Sequence, residues 1–278
     1  MASMRPPLSQ KVLLYRPLGD DVDLTGKRVL LTGASSGIGE AAAEQFATQG
    51  ASVVVVARRA ELLEDVARRI TEAGGEALAL PCDLSDLDAV DELVAGVEER
   101  FGGVDILVNN AGKSIRRPLA ESLERWHDVE RTMTLNYYSP LRLIRGFAPG
   151  MLARGDGHVI NVSTWGVFSE ASPLFSVYNA SKAALSTVSR VIETEWSNRG
   201  VHSTTLYYPL VKTPMIAPTK AFDDLPAMTA REAAEWIITA ARRRPVRIAP
   251  RMSLLSQALD IVSPDFFTTL MKRQTVTS

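Results

Sequence analysis

Four consecutive valines, Val53, Val54, Val55 and Val56, constrain this chain more than any other feature. A strand with one wet face alternates apolar with polar residues. An unbroken apolar run must be covered on both faces, the condition of a parallel sheet held between layers of helices. Residues 28–32, 52–57, 76–80, 104–108, 158–163, 201–208 and 246–249 read as seven such strands. Helical stripes lie between them. Over 60–73 the stripe is Leu62, Leu63, Val66 and Ile70, closed by Gly74-Gly75; over 83–100 it is Leu87, Val90, Val94 and Val97. Strand and helix alternate with short connections, which predicts a single doubly wound α/β domain: a seven-stranded parallel sheet with helices on both faces.

A chain of 278 residues, 46% of them apolar, can bury a large core without staples. The 31 Lys and Arg nearly cancel the 32 Asp and Glu, so charge gives no reason to expect a nucleic-acid partner. One cysteine, Cys82, excludes an internal disulfide and a multi-cysteine zinc site. His127, His158 and His202 have no ligand spacing, so no metal is expected. No apolar run reaches the ~18–20 residues that span a bilayer. Arg5, Pro6 and Pro7 break any signal-like stretch. The expectation is a cytoplasmic protein, with peripheral membrane contact left open.

Residues 1–24 read as a polar N-terminal extension, 25–251 as the domain and 252–278 as a helical tail. Pro214, Pro218 and Pro226 interrupt the pattern over 214–228, which reads as a lid or a plain loop. The tail carries Leu254, Leu255, Ala258, Leu259 and Val262 at helical spacing, then Ser263-Pro264-Asp265 as a second helix start. It can cover a substrate mouth, rest on a membrane or join subunits; subunit packing is the expectation. Arg242, Arg243, Arg244 and Arg247 read as a solvated turn.

The first strand runs into Thr32-Gly33-Ala34-Ser35-Ser36-Gly37-Ile38-Gly39 and then a helix. Glycines let backbone turn tightly and approach a ligand, and the helix start offers unpaired N–H groups to a pyrophosphate. A carboxylate after the second strand would hold a ribose 2′-hydroxyl, whereas here Arg58 and Arg59 stand ready for a 2′-phosphate, favouring NADP(H) over NAD(H). Asp83, followed by Leu84, suits the adenine amino group or an N-cap. Asn109-Asn110-Ala111-Gly112 lets backbone pass close to a flat ligand while its asparagines brace loops. Tyr178 and Lys182 lie four apart at a helix start, hence on one face. A tyrosine of pKa ~10 needs roughly 4 kcal/mol of preferential phenolate stabilisation to titrate three units lower, and a nearby ammonium is one source.

With these motifs in order, the chain resembles the short-chain dehydrogenases/reductases over about residues 24–250. The resemblance rests on Thr32-Gly33-x-x-x-Gly37-x-Gly39, Asn109-Asn110-Ala111-Gly112, Asn136, a hydroxyl after the fifth strand, and Tyr178-x-x-x-Lys182. It implies a Rossmann-type fold and hydride transfer between a nicotinamide and a carbonyl or alcohol. Tyr178 would be the general acid/base. Lys182 would bind the nicotinamide ribose and lower the Tyr178 pKa, and Asn136 would hold a relay water. The cofactor set implied is Gly33, Ser35, Ser36, Gly37, Ile38, Gly39, Arg58, Arg59, Asp83, Leu84, Asn110, Ala111, Gly112, Tyr178, Lys182, Pro209, Val211 and Thr213. Two departures stand out. The orienting hydroxyl falls on Thr164, with Ser163 as the alternative, and Tyr207-Tyr208-Pro209-Leu210-Val211 lacks the family's Pro-Gly.

Met215, Ile216, Ala217, Phe222, Leu225 and Met228, with Trp165 and Phe168, suit an apolar substrate or simply pack the lid down. The stretch from Pro209 to Lys220 is similar to the reductase modules of bacterial fatty acyl-CoA reductases, which implies a long-chain acyl or aldehyde substrate. The family also implies a homodimer or homotetramer. Competing readings are an NAD(H)-dependent alcohol or hydroxysteroid dehydrogenase and a non-catalytic dinucleotide sensor.

Overall fold

The valine run sits between two separate cores. Val53 and Val55 pack on one face of a sheet with Leu31, Phe46, Leu63 and Ile237. Val54 and Val56 pack on the other with Leu30, Leu107, Phe147 and Leu185. Each fully buried Val, Leu or Phe side chain stabilises by about 1.5–3 kcal/mol, so both faces bind the layers together.

The computed structural model describes residues 12–14, 21–169 and 171–275. In chain order the first half contains β1 (Val12–Leu14), β2 (Arg28–Thr32), α1 (Gly37–Thr48), β3 (Ser52–Ala57), α2 (Ala60–Glu72), β4 (Glu76–Pro81), α3 (Leu87–Phe101) and β5 (Ile106–Asn109). Then follow α4 (Trp126–Met133), α5 (Ser139–Arg154), β6 (Gly157–Thr164), α6 (Ser176–Trp196), β7 (Val201–Tyr208), β8 (Val211–Lys212) and β9 (Met228–Thr229). The chain closes with α7 (Ala230–Arg243), β10 (Arg247–Pro250), α8 (Arg251–Val262) and α9 (Pro264–Thr275).

The sheet order is β1-β10-β7-β6-β5-β2-β3-β4. All neighbours are parallel except β1, which runs antiparallel to β10. The chain steps outward from β2 through β3 to β4, then returns to β5 on the other side of β2. That reversal opens a crevice beyond the carboxyl ends of β2 and β5, where ligands bind in open α/β sheets.

The expected seven parallel strands and flanking helices are therefore present, with differences of one or two residues at their ends. The edge strand β1 lies inside the segment read as a mere extension; three residues without alternation carry no strand signal. The cap of α3 is Asp86, which accepts from the amides of Asp88 and Ala89, and not Asp83. The arginine turn is not simply solvated: Arg242 and Arg243 pair with Asp21, Arg244 pairs with Asp156, and the Arg247 guanidinium stacks 6.0 Å from Phe168. Among the described residues no helix is long and apolar enough to cross a membrane.

Candidate active site

The turn after β2 shows why glycine is needed there. Gly33 and Gly37 have φ of +68° and +62°, the left-handed region that β-carbons disfavour. Gly39 has an ordinary φ, but a methyl there would overlap the Gly33 carbonyl oxygen and lie 2.7 Å from Asn110 Nδ2. Ser36 caps α1 without a side-chain hydrogen bond, leaving the first amides of that helix for a ligand. Arg59 Nη2 donates to Ser35 Oγ at 3.2 Å and Ser36 Oγ at 3.3 Å, so this cation already lies over the glycine-rich loop. Arg58 projects into the cavity, its Nη1 4.0 Å from Asp83 Oδ2. Asp83 Oδ1 accepts from the Ser85 amide at 3.0 Å and shapes the turn after β4.

Short polar residues staple the loops of the crevice to one another. Thr32 Oγ1 accepts from the amides of Asn110 and Ala111 at 3.0 and 3.1 Å. Asn110 Nδ2 donates to Thr32 O at 3.0 Å, and Asn109 Nδ2 donates to Asn161 Oδ1 at 2.8 Å. The bracing role read for these asparagines holds.

Tyr178 and Lys182 stand one turn apart on α6 and line the same cavity. Lys182 is buried, and its Nζ donates to Val162 O at 2.9 Å. Burial pushes the ammonium down to about 8 and the Tyr178 phenol up to about 12. The sequence reading has Lys182 depress the phenol. The direction here is the reverse, because burial dominates and the ammonium gives a hydrogen bond to a carbonyl instead. At neutral pH Tyr178 is therefore a protonated donor beside a cation, the form suited to giving a proton to a carbonyl oxygen.

Asn136 occupies a π-helical turn, residues Thr134–Tyr138, between α4 and α5. Its Oδ1 accepts from the Lys113 amide at 2.8 Å, and its Nδ2 donates to Lys113 O at 2.9 Å and Ser181 Oγ at 3.0 Å. Both Nδ2 hydrogens are used and the residue is fully buried, so this side chain braces the loop after β5. Ser163 is buried, with Ser186 Oγ donating to its hydroxyl at 3.1 Å. Thr164 is less buried; its Oγ1 accepts from the Gly166 amide at 3.3 Å, which leaves its own hydrogen to donate. Asn179 Nδ2 donates to Gly166 O at 3.2 Å and so ties that turn to the residue beside Tyr178.

Gly33, Gly37, Arg58, Arg59, Tyr178, Lys182 and Thr164 face one cavity of about 1110 Å³, larger than the ~300–1,000 Å³ of a single-ligand pocket, while Gly39, Asn136 and the bracing Thr32, Asn109 and Asn161 stand behind its wall. One end is polar and holds the loops after β2, β3 and β4. The other is apolar: Trp165, Met215, Ile216, Phe222 and Leu225 meet Met252, Phe267 and Met271 of the tail. The tail helices thus form part of the cavity wall. Phe168 and Met228, read as substrate wall, belong to packed clusters instead, and Ala217 is not part of the lining. Pro209, Val211 and Thr213 do line the cavity; Val211 pairs with Met228 through β8 and β9, which sets the path of the loop lacking Pro-Gly. Sequence reasoning offered the tail as a cover for the substrate mouth without naming which of its residues line the cavity, and missed Lys113 and Arg131 in the lining. Their positions after Gly112 and five before Asn136 were the available signal.

A family model described as short chain dehydrogenase matches residues 27–224. The chain is 71% identical to a fatty acyl-CoA reductase of Mycobacterium tuberculosis, over 99% of this chain and 93% of that one. It is 45% identical to a fatty acyl-CoA reductase of Acinetobacter baylyi, over 90% of this chain and 84% of that one. Among solved structures, the L-sorbose reductase of Gluconobacter frateurii, complexed with NADPH and L-sorbose, matches with a TM-score of 0.72 and 30% identity, covering 80% of this chain and 93% of that one. With the paired Tyr178 and Lys182, the glycine-rich turn and the doubly wound sheet in place, the chain belongs to the short-chain dehydrogenase/reductase family of oxidoreductases acting on alcohol and carbonyl groups.

Proposed function

We propose that this protein is an NADPH-dependent reductase of long-chain acyl or aldehyde substrates. The observation that carries this reading is the single cavity. A cationic, glycine-lined end and an apolar end of lid and tail residues meet at Tyr178, Lys182 and Thr164. The left-handed glycines, the unpaired first turn of α1 and the arginines Arg58 and Arg59 that directly follow β3, where a carboxylate would favour a bare ribose, all fit a phosphorylated dinucleotide. When bound, the reduced nicotinamide would supply the hydride.

The chain's own residues would do the rest. Tyr178 Oη would donate its proton to the carbonyl oxygen as charge develops there, and Thr164 Oγ1 a second hydrogen bond to the same atom; with an acyl thioester the resulting hemithioacetal then breaks its C–S bond, passing its hydroxyl proton to the departing thiolate and leaving the aldehyde. Lys182 would hold the nicotinamide ribose and supply positive charge there. Asn136 acts as a positioning residue through the Lys113 backbone. Arg58 and Arg59 take the 2′-phosphate. Residues 214–228 form the lid and 252–271 the far wall, excluding water and holding an acyl chain. The homodimer or homotetramer expected from the family belongs to the same proposal.

Oxidation of NADPH and NADH, measured with a chain-length series of aldehydes and acyl-CoA thioesters, tests this. The expected result is kcat/KM rising with chain length and a preference for NADPH of about tenfold or more, the equivalent of about 1.4 kcal/mol for lost phosphate contacts. Equal rates across chain lengths, or equal use of NADH, would overturn it.

A further inference from the structure

We propose that Lys113 and Arg131 form a second phosphate subsite in this cavity, one that takes the phosphomonoester on an adenosine ribose. Lys113 follows Gly112 on the loop after β5, and Arg131 lies on α4, one turn before Leu135. Both line the cavity. The Lys113 backbone is held at both polar atoms by Asn136, which sets where its side chain begins.

Neither cation has a hydrogen-bond or ion-pair partner among the described residues, in contrast to its neighbours. Arg117 and Arg125 hold Asp128 at 2.6 and 2.8 Å, Arg59 holds two hydroxyls, and Arg58 faces Asp83. Burial and then the field of Arg131 lower the Lys113 pKa; the Asp128 carboxylate, bridged by two arginines, opposes them in part, and Arg58 adds a smaller lowering. Like charges gathered at a partly dehydrated wall, with no carboxylate in direct contact with Lys113 or Arg131 among the described residues, repel one another, and a bound anion relieves that cost. The pyrophosphate has its own place at the start of α1. A doubly charged monoester suits cations that approach from different elements.

Two ligands of the proposed reaction carry such an ester: the 2′-phosphate of NADPH and the 3′-phosphate of a coenzyme A thioester. To that extent the subsite rests on the reductase reading. Binding needs no turnover, however, so the two can fail separately. Calorimetric titration would use adenosine 2′,5′-bisphosphate, adenosine 3′,5′-bisphosphate and adenosine 5′-monophosphate against the wild type, Lys113→Gln, Arg131→Gln and Lys113→Arg. The expected result is about tenfold weaker binding of one bisphosphate by each glutamine variant, unchanged monophosphate binding, and recovery in Lys113→Arg. Loss confined to the 2′ isomer adds Lys113 and Arg131 to Arg58 and Arg59 as holders of the cofactor's ester, and loss confined to the 3′ isomer gives them the substrate's ester instead. Unchanged affinities, or equal weakening of all three nucleotides, would overturn the subsite. A Tyr178→Phe protein should bind both bisphosphates as the wild type does, so a failure of the acid–base reading would show in turnover and not in these affinities.

Discussion

Replacing Gly39 with alanine tests how tightly the glycine-rich turn is built. The added methyl would overlap the Gly33 carbonyl oxygen and sit 2.7 Å from Asn110 Nδ2, where ordinary contact is ~3.5–4.0 Å. Something must therefore move by about 1 Å. Neither obstacle is the loose end of a side chain. The Gly33 oxygen belongs to backbone at φ +68°, and Asn110 Nδ2 is bonded to Thr32 O at 3.0 Å. Overpacking of this kind costs about 1–3 kcal/mol, partly offset by the better helix propensity of alanine. At about 2–4 °C per kcal/mol, the melting temperature should fall by roughly 2–10 °C. Because the part that gives way is the glycine-rich turn proposed to hold the pyrophosphate, NADPH affinity, followed by nicotinamide fluorescence, should weaken at least about tenfold. Gly96→Ala is the matched control. It lies in α3 with nothing within 4 Å of the added carbon, and should gain about 0.5–1 kcal/mol. A Gly39→Ala protein that melts and binds NADPH like the wild type would refute the packing argument.

Four hydroxyl, charge and wall contacts give further expectations. Thr164→Val keeps the side-chain shape but removes the donor, and should lower kcat about 10²–10³-fold. Ser163→Ala loses the Ser186 contact and should show first as a drop of about 1 kcal/mol in stability; the reverse pattern in kinetics and melting would make Ser163 the active hydroxyl. Lys182, with its pKa lowered to about 8, is charged below that pH and loses its charge above it. Carbonyl reduction should thus be level at lower pH and fall as pH rises through about 8, a step absent from Lys182→Met; a wild-type profile level through that range would contradict the role. Met271→Ala shortens the tail wall of the cavity and should raise KM for long aldehydes while sparing short ones, as a chain-length series would show.

The parts of this molecule that repeat a physical pattern were legible in its residues. Val53 to Val56 announced a doubly covered strand, and the two cores divide those valines as alternation requires. Tyr178 and Lys182 share a face because a helix turns every 3.6 residues. Contacts between distant segments were not legible. Nothing in Val12, Leu13 and Leu14 marks them as partners of β10, since a three-residue edge strand is chosen by its neighbour. Subunit packing is the expectation for the tail, and nothing local shows that Met252, Ser256, Phe267 and Met271 line the same cavity as Met215 and Phe222. Asn136 shows the same limit within the site. Its position was readable, but its side-chain amide is bonded to a loop 23 residues away. Local charge was partly misleading too: Lys182 invites a depressed Tyr178 pKa, yet burial of the phenol acts more strongly.

Tyr178→Phe bears most directly on the central claim. The phenol faces the cavity and no described residue bonds its hydroxyl, so its removal should move the melting temperature by less than about 2 °C. NADPH affinity should stay within about twofold, and the single-turnover rate of carbonyl reduction should drop about 10²–10⁴-fold, or about 3–5.5 kcal/mol in barrier height. A variant that still reduces an aldehyde at a tenth of the wild-type rate or faster would show that the proton comes from elsewhere.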